Sequence, residues 1–233
     1  MDLNELIVYK FNNKIRLGNN FDGGYVIGEL NGQYDAYFSC GIAEEESFTR
    51  DFLKTYLIDN KDTFAFDGTI NNYPSNYSST INFINKNING HNIENNTNLI
   101  NESFPYNNIF MKMDIEGGEY SWISQISENV LYKFKQIVIE FHGINDNSWN
   151  IDLNTKIICL NKLNKTHYII HAHGNNHSTI KNNIPDVLEL TFVRKDYFPY
   201  KPDLNSTKLP ITNIDFPNKC FPDYNLNFYP FVN

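Results

Sequence analysis

Short apolar runs that end in small or acidic residues alternate with segments of helical periodicity along most of this chain. Tyr34 to Cys40 (YDAYFSC) is an aromatic and small run closed by Gly41. Glu46 to Leu57 then repeats at helical spacing, with Phe48, Phe52, Leu53, Tyr56 and Leu57 as its apolar stripe. Thr63 to Phe66 (TFAF) stops at Asp67-Gly68, and Ile109 to Met113 (IFMKM) stops at Asp114. A helix is predicted from about Tyr120 to Leu131, and a β-branched strand over Gln136 to Phe141. Ile151 to Leu163 reads as a helix with Leu153, Ile157, Leu160 and Leu163 on one side. His167 to Ala172 and Val187 to Arg194 read as the last two strands.

Strands alternating with helices predict an α/β fold: a mostly parallel sheet with helices on both faces. No helix separates the last two strands, so they are expected as an antiparallel pair with an antiparallel strand at one edge. The Asn-rich stretch 71–108 predicts one helix around Ile81, Phe83, Ile84 and Ile88, then a short strand near Asn98 to Asn101. Beyond Pro199 the chain is rich in proline and aromatics, which predicts an extended tail over the core. The layout is one domain over 1–233: an N-terminal segment 1–30, an α/β core 34–198 and a tail 199–233.

Composition narrows the function classes. The 233 residues are 41% hydrophobic and 15% aromatic, enough to build a core, so a disordered chain is excluded. The net charge of −8 argues against a general nucleic-acid binder. No apolar run reaches the roughly 18–20 residues of a membrane span. The start of the chain lacks the pattern of a secretory signal, and Cys40, Cys159 and Cys220 have no paired spacing. Free thiols and a cytoplasmic location are expected.

Ligands of open α/β sheets bind outside the carboxyl ends of the strands, so the residues there are the first to read. They are Cys40 and Gly41, Asp67, Asp114 and Glu116, Glu140 and His142, then His171, His173, Asn175 and Asn176. Helix capping is the competing use of the acids. Asp67 closes the second strand, where a carboxylate can accept both hydroxyls of a ribose. The turn CGIAEEESF carries no GxGxxG, and Glu44, Glu45 and Glu46 would repel a pyrophosphate. A cofactor with a ribose and no phosphate fits better. S-adenosylmethionine is the common one, and its sulfonium tolerates acids.

The run Met111 to Glu119 (MKMDIEGGE) resembles the K-x-D-x-E-G-x-E signature of the FkbM-type methyltransferases. Ile15 to Ile27 (IRLGNNFDGGYVI), Ile137 to Ile144, His171 to Asn176 (HAHGNN) and Pro185 to Lys195 resemble segments of the same family, in order. The resemblance covers about residues 15–195 and extends to the LPITNIDFPN segment of the tail. It implies a class I methyltransferase (Rossmann-like) sheet of order 3-2-1-4-5-7-6, S-adenosylmethionine as cofactor and O-methylation, often of sugars. CGIAEEESF stands where typical members have D-x-G-x-x-x-G, so Gly23 and Tyr25 of the DGGY segment are expected to join Cys40, Gly41, Asp67 and Asp114 around the cofactor.

With that order, Asp114, Glu116, Glu140 and His142 would cluster where the methyl group is delivered. Alignment supplies most of the rate gain, roughly 7–11 kcal/mol. Two routes to deprotonation stay open. His142 acts as base with Asp114 and Glu116 beside it, or Asp114, Glu140 and His142 bind a divalent ion, Mg or Mn. Glu140, His173, Asn175 and Asn176 are expected to bind the acceptor, a sugar hydroxyl of a nucleotide sugar or glycan, although HGNN also reads as a plain turn. One of His171 and His173 is expected in the core and the other at the cleft. Lys112, Arg16 and Arg194 are the basic groups available to a nucleotide sugar. The alternatives are a methyltransferase of a small non-sugar metabolite and a binding module that retains the fold.

Overall fold

The computed structural model describes residues 3–77, 80–146, 148–181 and 183–233. A hairpin of β1 (Lys14–Leu17) and β2 (Tyr25–Gly28) precedes β3 (Ala36–Cys40), α1 (Ser47–Thr55) and β4 (Thr63–Phe66). Short elements follow: β5 (Asn82–Ile84), β6 (Asn87–Ile88), β7 (Asn96–Thr97) and α2 (Ile100–Ser103). Then come β8 (Ile109–Met113), α3 (Glu119–Gln125), α4 (Glu128–Leu131), β9 (Phe134–His142), α5 (Leu153–Thr166) and β10 (His167–Gly174). The two-residue strands β11 (Ile180–Lys181) and β12 (Ile184–Pro185) pair with each other before β13 (Val187–Arg194). Among the described residues no helix is long and apolar enough to cross a membrane.

Seven strands form one sheet in the order β10-β13-β9-β8-β3-β4-β5, the order expected from the resemblance. The neighbours from β9 to β5 run parallel. Every residue of β8 and β9 is buried, as parallel strands covered on both faces require. β13 is the antiparallel strand, but it lies between β9 and β10 and not at the edge. Seven of its eight residues are buried, so an interior place satisfies both its backbone rows and its side chains. β10 takes the edge instead. Tyr9 N–H donates to Ile169 O at 2.7 Å, and Asn205 N–H of the tail donates to Val8 O at 2.9 Å, which shields that edge.

One face packs against α3 and α5: Trp122, Ile123, Leu160 and Leu163 meet Met111, Met113, Ile137 and Ile139. The tail adds Leu209, Leu226 and Phe231 to this cluster. The other face stacks Phe52 of α1 on Phe110 and Tyr37, with ring centroids 4.3 and 4.6 Å apart. The β1–β2 hairpin closes that face. Gln136 of β9 exchanges two hydrogen bonds with the Gly28 backbone, and Thr191 of β13 donates to Val26 O at 2.5 Å.

Four local expectations need correction. Ile81, Phe83 and Ile84 belong to no helix: β5 pairs parallel with β4, and Asn82 anchors it by donating to Asn60 O and Thr63 O. Asn98 to Asn101 is no strand, because Leu99 sits at φ +63° and turns the chain into the short α2. The predicted helix 120–131 is broken between α3 and α4, where Ser127 leaves the helical backbone and caps α4. Leu57, read as part of the α1 stripe, lies beyond the helix end and is 91% exposed.

A two-chambered candidate site at the strand ends

β3 and β8 come together at their carboxyl ends, and Gly41 makes the approach possible. Its φ is +77°, and a Cβ there would lie 1.7 Å from the Asp114 carbonyl oxygen. Gly41 N–H donates to Phe66 O, Asp114 N–H to Cys40 O, and Lys112 Nζ to Gly41 O at 2.6 Å. Around this junction lies a cavity of about 380 Å³, lined among others by Gly23, Tyr25, Gly41, Asp67, Lys112 and Asp114. These include five of the six residues expected around the cofactor. Cys40 is the exception: it points into the core, where burial pushes its thiol up from the ordinary range.

Asp67 is already engaged. Its Oδ2 accepts from Ile42 N–H and Ala43 N–H, both at 2.9 Å, and its Oδ1 accepts from Thr69 N–H and Thr69 Oγ1. Burial works to raise its pKa, but these hydrogen bonds outweigh it and hold the carboxyl below its ordinary value. Glu45 and Glu46 also line the cavity. Glu46 is buried, accepts from Ser39 Oγ and Tyr73 Oη, and is pushed up by burial. Glu45 accepts Ser47 N–H at 2.7 Å at the start of α1.

A second cavity of about 400 Å³ shares Asp22, Asp114 and Glu116 with the first and adds Glu140, His142, Trp149 and Asn175. The structure therefore brings Asp114, Glu116, Glu140 and His142 together. Tyr25 Oη lies 2.9 Å from Asp114 Oδ2 and 3.3 Å from Glu140 Oε2, so two carboxylates share one hydroxyl. Asn175 Nδ2 donates to Glu140 Oε1 at 2.9 Å. Burial first, and then the charges of Asp114 and Glu189, push Glu140 well above the usual carboxylate range.

His142 is held from behind. Its Nδ1 donates to Oε1 of Glu119, a buried carboxylate at the start of α3, at 3.1 Å. The same oxygen accepts Ile115 N–H and Gly117 N–H. Nε2 faces Glu116 at 3.4 Å, Glu140 at 3.9 Å and Asp114 at 4.0 Å. Burial lowers the imidazole pKa, but Glu119, Glu140 and Asp114 outweigh it and raise it to about 9. A ring so placed must give up its Nε2 proton before that nitrogen can act as a base or bind an ion. Trp149 covers the ring with centroids 5.2 Å apart, and it packs where a Cβ on Gly117 would lie 2.7 Å from the indole.

Other expected residues go elsewhere. His173 and His171, two residues apart on β10, share a face, and both are buried under the tail. His173 bonds Glu189 at 3.1 Å and Asp223 at 3.0 Å, while His171 bonds Asp215 at 2.8 Å. The Asn176 amide holds the tail through Lys219 O, Phe221 O and Lys219 N–H. Of HGNN, Asn175 is the residue that reaches the cavity. Arg194 sits at the opposite end of the sheet, bonded to Asn107 O and Tyr132 O. Arg16 supports the DGGY loop through Asn19 O and Phe21 O. Glu119 and Trp149 join the site without being marked by the strand-end pattern. Glu119 had a signal, since it ends the MKMDIEGGE run three residues beyond Glu116.

The chain matches no protein-family model, and no curated protein sequence matches it.

Proposed function

We propose that this chain is an S-adenosylmethionine-dependent O-methyltransferase of class I architecture that acts on a sugar hydroxyl. The observation that carries the reading is the pair of cavities meeting at Asp114, at the carboxyl ends of the parallel strands and beside the junction of β3 and β8. A transferase needs donor and acceptor in neighbouring chambers with the reacting atoms in line, and such alignment is worth roughly 7–11 kcal/mol. The strand order and the five ordered segment resemblances support the same class.

The first chamber suits a cationic cofactor. Asp22, Glu45, Glu46, Asp67, Asp114 and Glu116 line it against Lys112, a field that favours a sulfonium and an ammonium. In this reading the ribose lies near Asp67 and displaces loop N–H groups from Oδ2. The second chamber offers Asn175, Ser178, Thr179 and the Trp149 ring, a set able to read hydroxyls and cover an apolar sugar face.

Calorimetry with S-adenosylmethionine and S-adenosylhomocysteine tests the first half, and mass spectrometry for one added methyl group across sugars, phenols and peptides tests the second. Binding of both cofactor forms and methylation of a sugar are expected. Absence of cofactor binding would defeat the enzyme reading; methylation of phenols or peptides alone would defeat the sugar.

A further inference from the structure

We propose that Asp114, Glu140 and His142 form a divalent-cation site on the wall between the two chambers, with Glu119 as the group that orients His142, and that the ion is Mn²⁺ or Mg²⁺. One oxygen from each carboxylate and one imidazole nitrogen lie within 4.8 Å of one another. Ligands about 2.1 Å from a shared ion stand about 3–4 Å apart, so the widest pair must close by about 1–2 Å to complete the shell. Two carboxylates and one imidazole are hard to borderline donors, the set that suits Mg²⁺ and Mn²⁺.

Two further observations separate this cluster from a chance gathering of acids. His142 is 5% exposed, yet its Nε2 lies 3.4 to 4.0 Å from three carboxylates, beyond the 2.7–2.9 Å of a charge-assisted bond. The ring points into the gap between them. Its Nδ1 meanwhile donates to a fully buried carboxylate that also accepts two backbone N–H groups. A carboxylate behind the distal nitrogen of a histidine is the arrangement that fixes the tautomer and aims the other nitrogen at a metal.

Charge points the same way. Glu119 and Glu140 are buried and Asp114 is three-quarters buried, against one imidazole and the Tyr25 hydroxyl that Asp114 and Glu140 share. Lys112 stays 3.8 Å from Asp114 and donates to Gly41 O instead. A divalent ion would neutralise the carboxylates that it binds. Tyr25 and Asn175 then act as the groups that hold the Asp114 and Glu140 carboxylates in place. The remaining coordination positions face the second chamber, where water or an oxygen of the acceptor completes the shell.

The site does not depend on the methyl-transfer reading, and it is tested on the full chain without cofactor. Manganese chloride is titrated against the protein, and the free-ion signal is followed by electron paramagnetic resonance. One ion per chain is expected, with Mg²⁺ competing, and an electron spin echo of the bound ion should show modulation from a ¹⁴N nucleus. His142→Gln should abolish that modulation and weaken binding at least about ten-fold, while Glu119→Gln should keep it and weaken binding about 10- to 100-fold. Asp59→Asn, on an exposed carboxylate, should change nothing. Where a variant fails to fold, the ¹⁴N modulation and a Mn²⁺-dependent rise in melting temperature of the natural protein carry the test. No bound ion at millimolar Mn²⁺, or bound ion without ¹⁴N modulation, overturns the site. So does equal affinity in a folded His142→Gln protein.

Discussion

Asp67 accepts the backbone N–H of Ala43 at 2.9 Å, so the carboxylate closing the second parallel strand holds the loop that leaves the first. The same oxygen takes Ile42 N–H, and the other oxygen takes two donors from Thr69. Hydrogen bonds to a charged group contribute about 1.5–3 kcal/mol each but do not add, because the freed donors find water. Asp67→Ala should therefore destabilise the ligand-free fold by about 3 kcal/mol in urea unfolding. The Ile42 and Ala43 amides should lose their hydrogen-exchange protection. Unchanged protection would show that the loop stands without Asp67.

Gly41 predicts a sharper effect at the same junction. Its φ of +77° is strained for any L side chain, and an added Cβ would meet backbone, not a side chain able to move aside. Gly41→Ala should force β3 and β8 apart and lower stability by more than about 2 kcal/mol. A variant with an unchanged melting temperature would mean that the strand ends are looser than their hydrogen bonds indicate.

The central strands were legible because buried parallel strands are runs of apolar residues, as IFMKM and QIVIEF show. The β1–β2 hairpin carries no clear strand pattern. Its segment IRLGNNFDGGYVI mixes turn residues with a short apolar run, and its fit depends on contacts with Gln136 and Thr191 far along the chain. The cleft was legible as a row of strand-end acids. His173 and Asn176 belong to the same row by pattern, but the tail claims them through Asp223 and the Lys219–Phe221 backbone. No local pattern shows which strand end a distant segment will cover. The α3–α4 break likewise turns on one side chain, the Ser127 cap.

The tail is held by charge as well as by apolar packing. His173 lies between Glu189 and Asp223, and Asn218 Nδ2 donates to the other Glu189 oxygen. Burial lowers the His173 pKa, but Glu189 and Asp223 outweigh it and carry it well above 6.5. Removing the cation leaves a buried carboxylate without its partner. His173→Ala should cost about 3 kcal/mol and loosen residues 215–224, read by urea midpoint and limited proteolysis. A shift below about 0.5 kcal/mol would contradict this account.

His167 sets an acid limb of stability. It is fully buried, with Nε2 donating to Phe134 O at 2.7 Å and Nδ1 accepting from Thr166 Oγ1 at 2.8 Å. Burial, the largest influence, pulls its pKa down from 6.5 to about 4. The unfolded chain binds a proton below 6.5 that the folded chain refuses until about 4, so this group's stability is full above 6.5 and falls as pH drops toward 4. The loss is about 3 kcal/mol across that window. His167→Gln should flatten the unfolding free energy between pH 6.5 and 4, whatever its effect at pH 7. An acid limb identical to that of the natural protein would rule His167 out as its source.

The last prediction concerns the charge of the acceptor. Asp22, Asp114, Glu116, Glu140 and Asp186 line the second chamber, and no Lys or Arg is among the described residues that line it. Burial, and then Asp114 and Glu189, raise Asp22 above its ordinary range, against an opposing pull from Lys219. Lys112 faces the first chamber, Arg194 lies at the other end of the sheet, and Arg16 is committed to the DGGY loop. A bound divalent ion would offset two of the charges and leave the field negative. In the metal-free protein the pyrophosphate of a nucleotide sugar would enter that field with no Lys or Arg lining the chamber, so like-charge repulsion disfavours it. Neutral glycans and amino sugars should be methylated in preference to nucleotide sugars when offered at equal concentration with labelled cofactor. Asp186→Asn combined with Asp22→Asn should narrow the gap by raising KM for the amino sugar and lowering it for the nucleotide sugar. Faster labelling of the nucleotide sugar by the natural protein would show that the acceptor does not sit in this chamber.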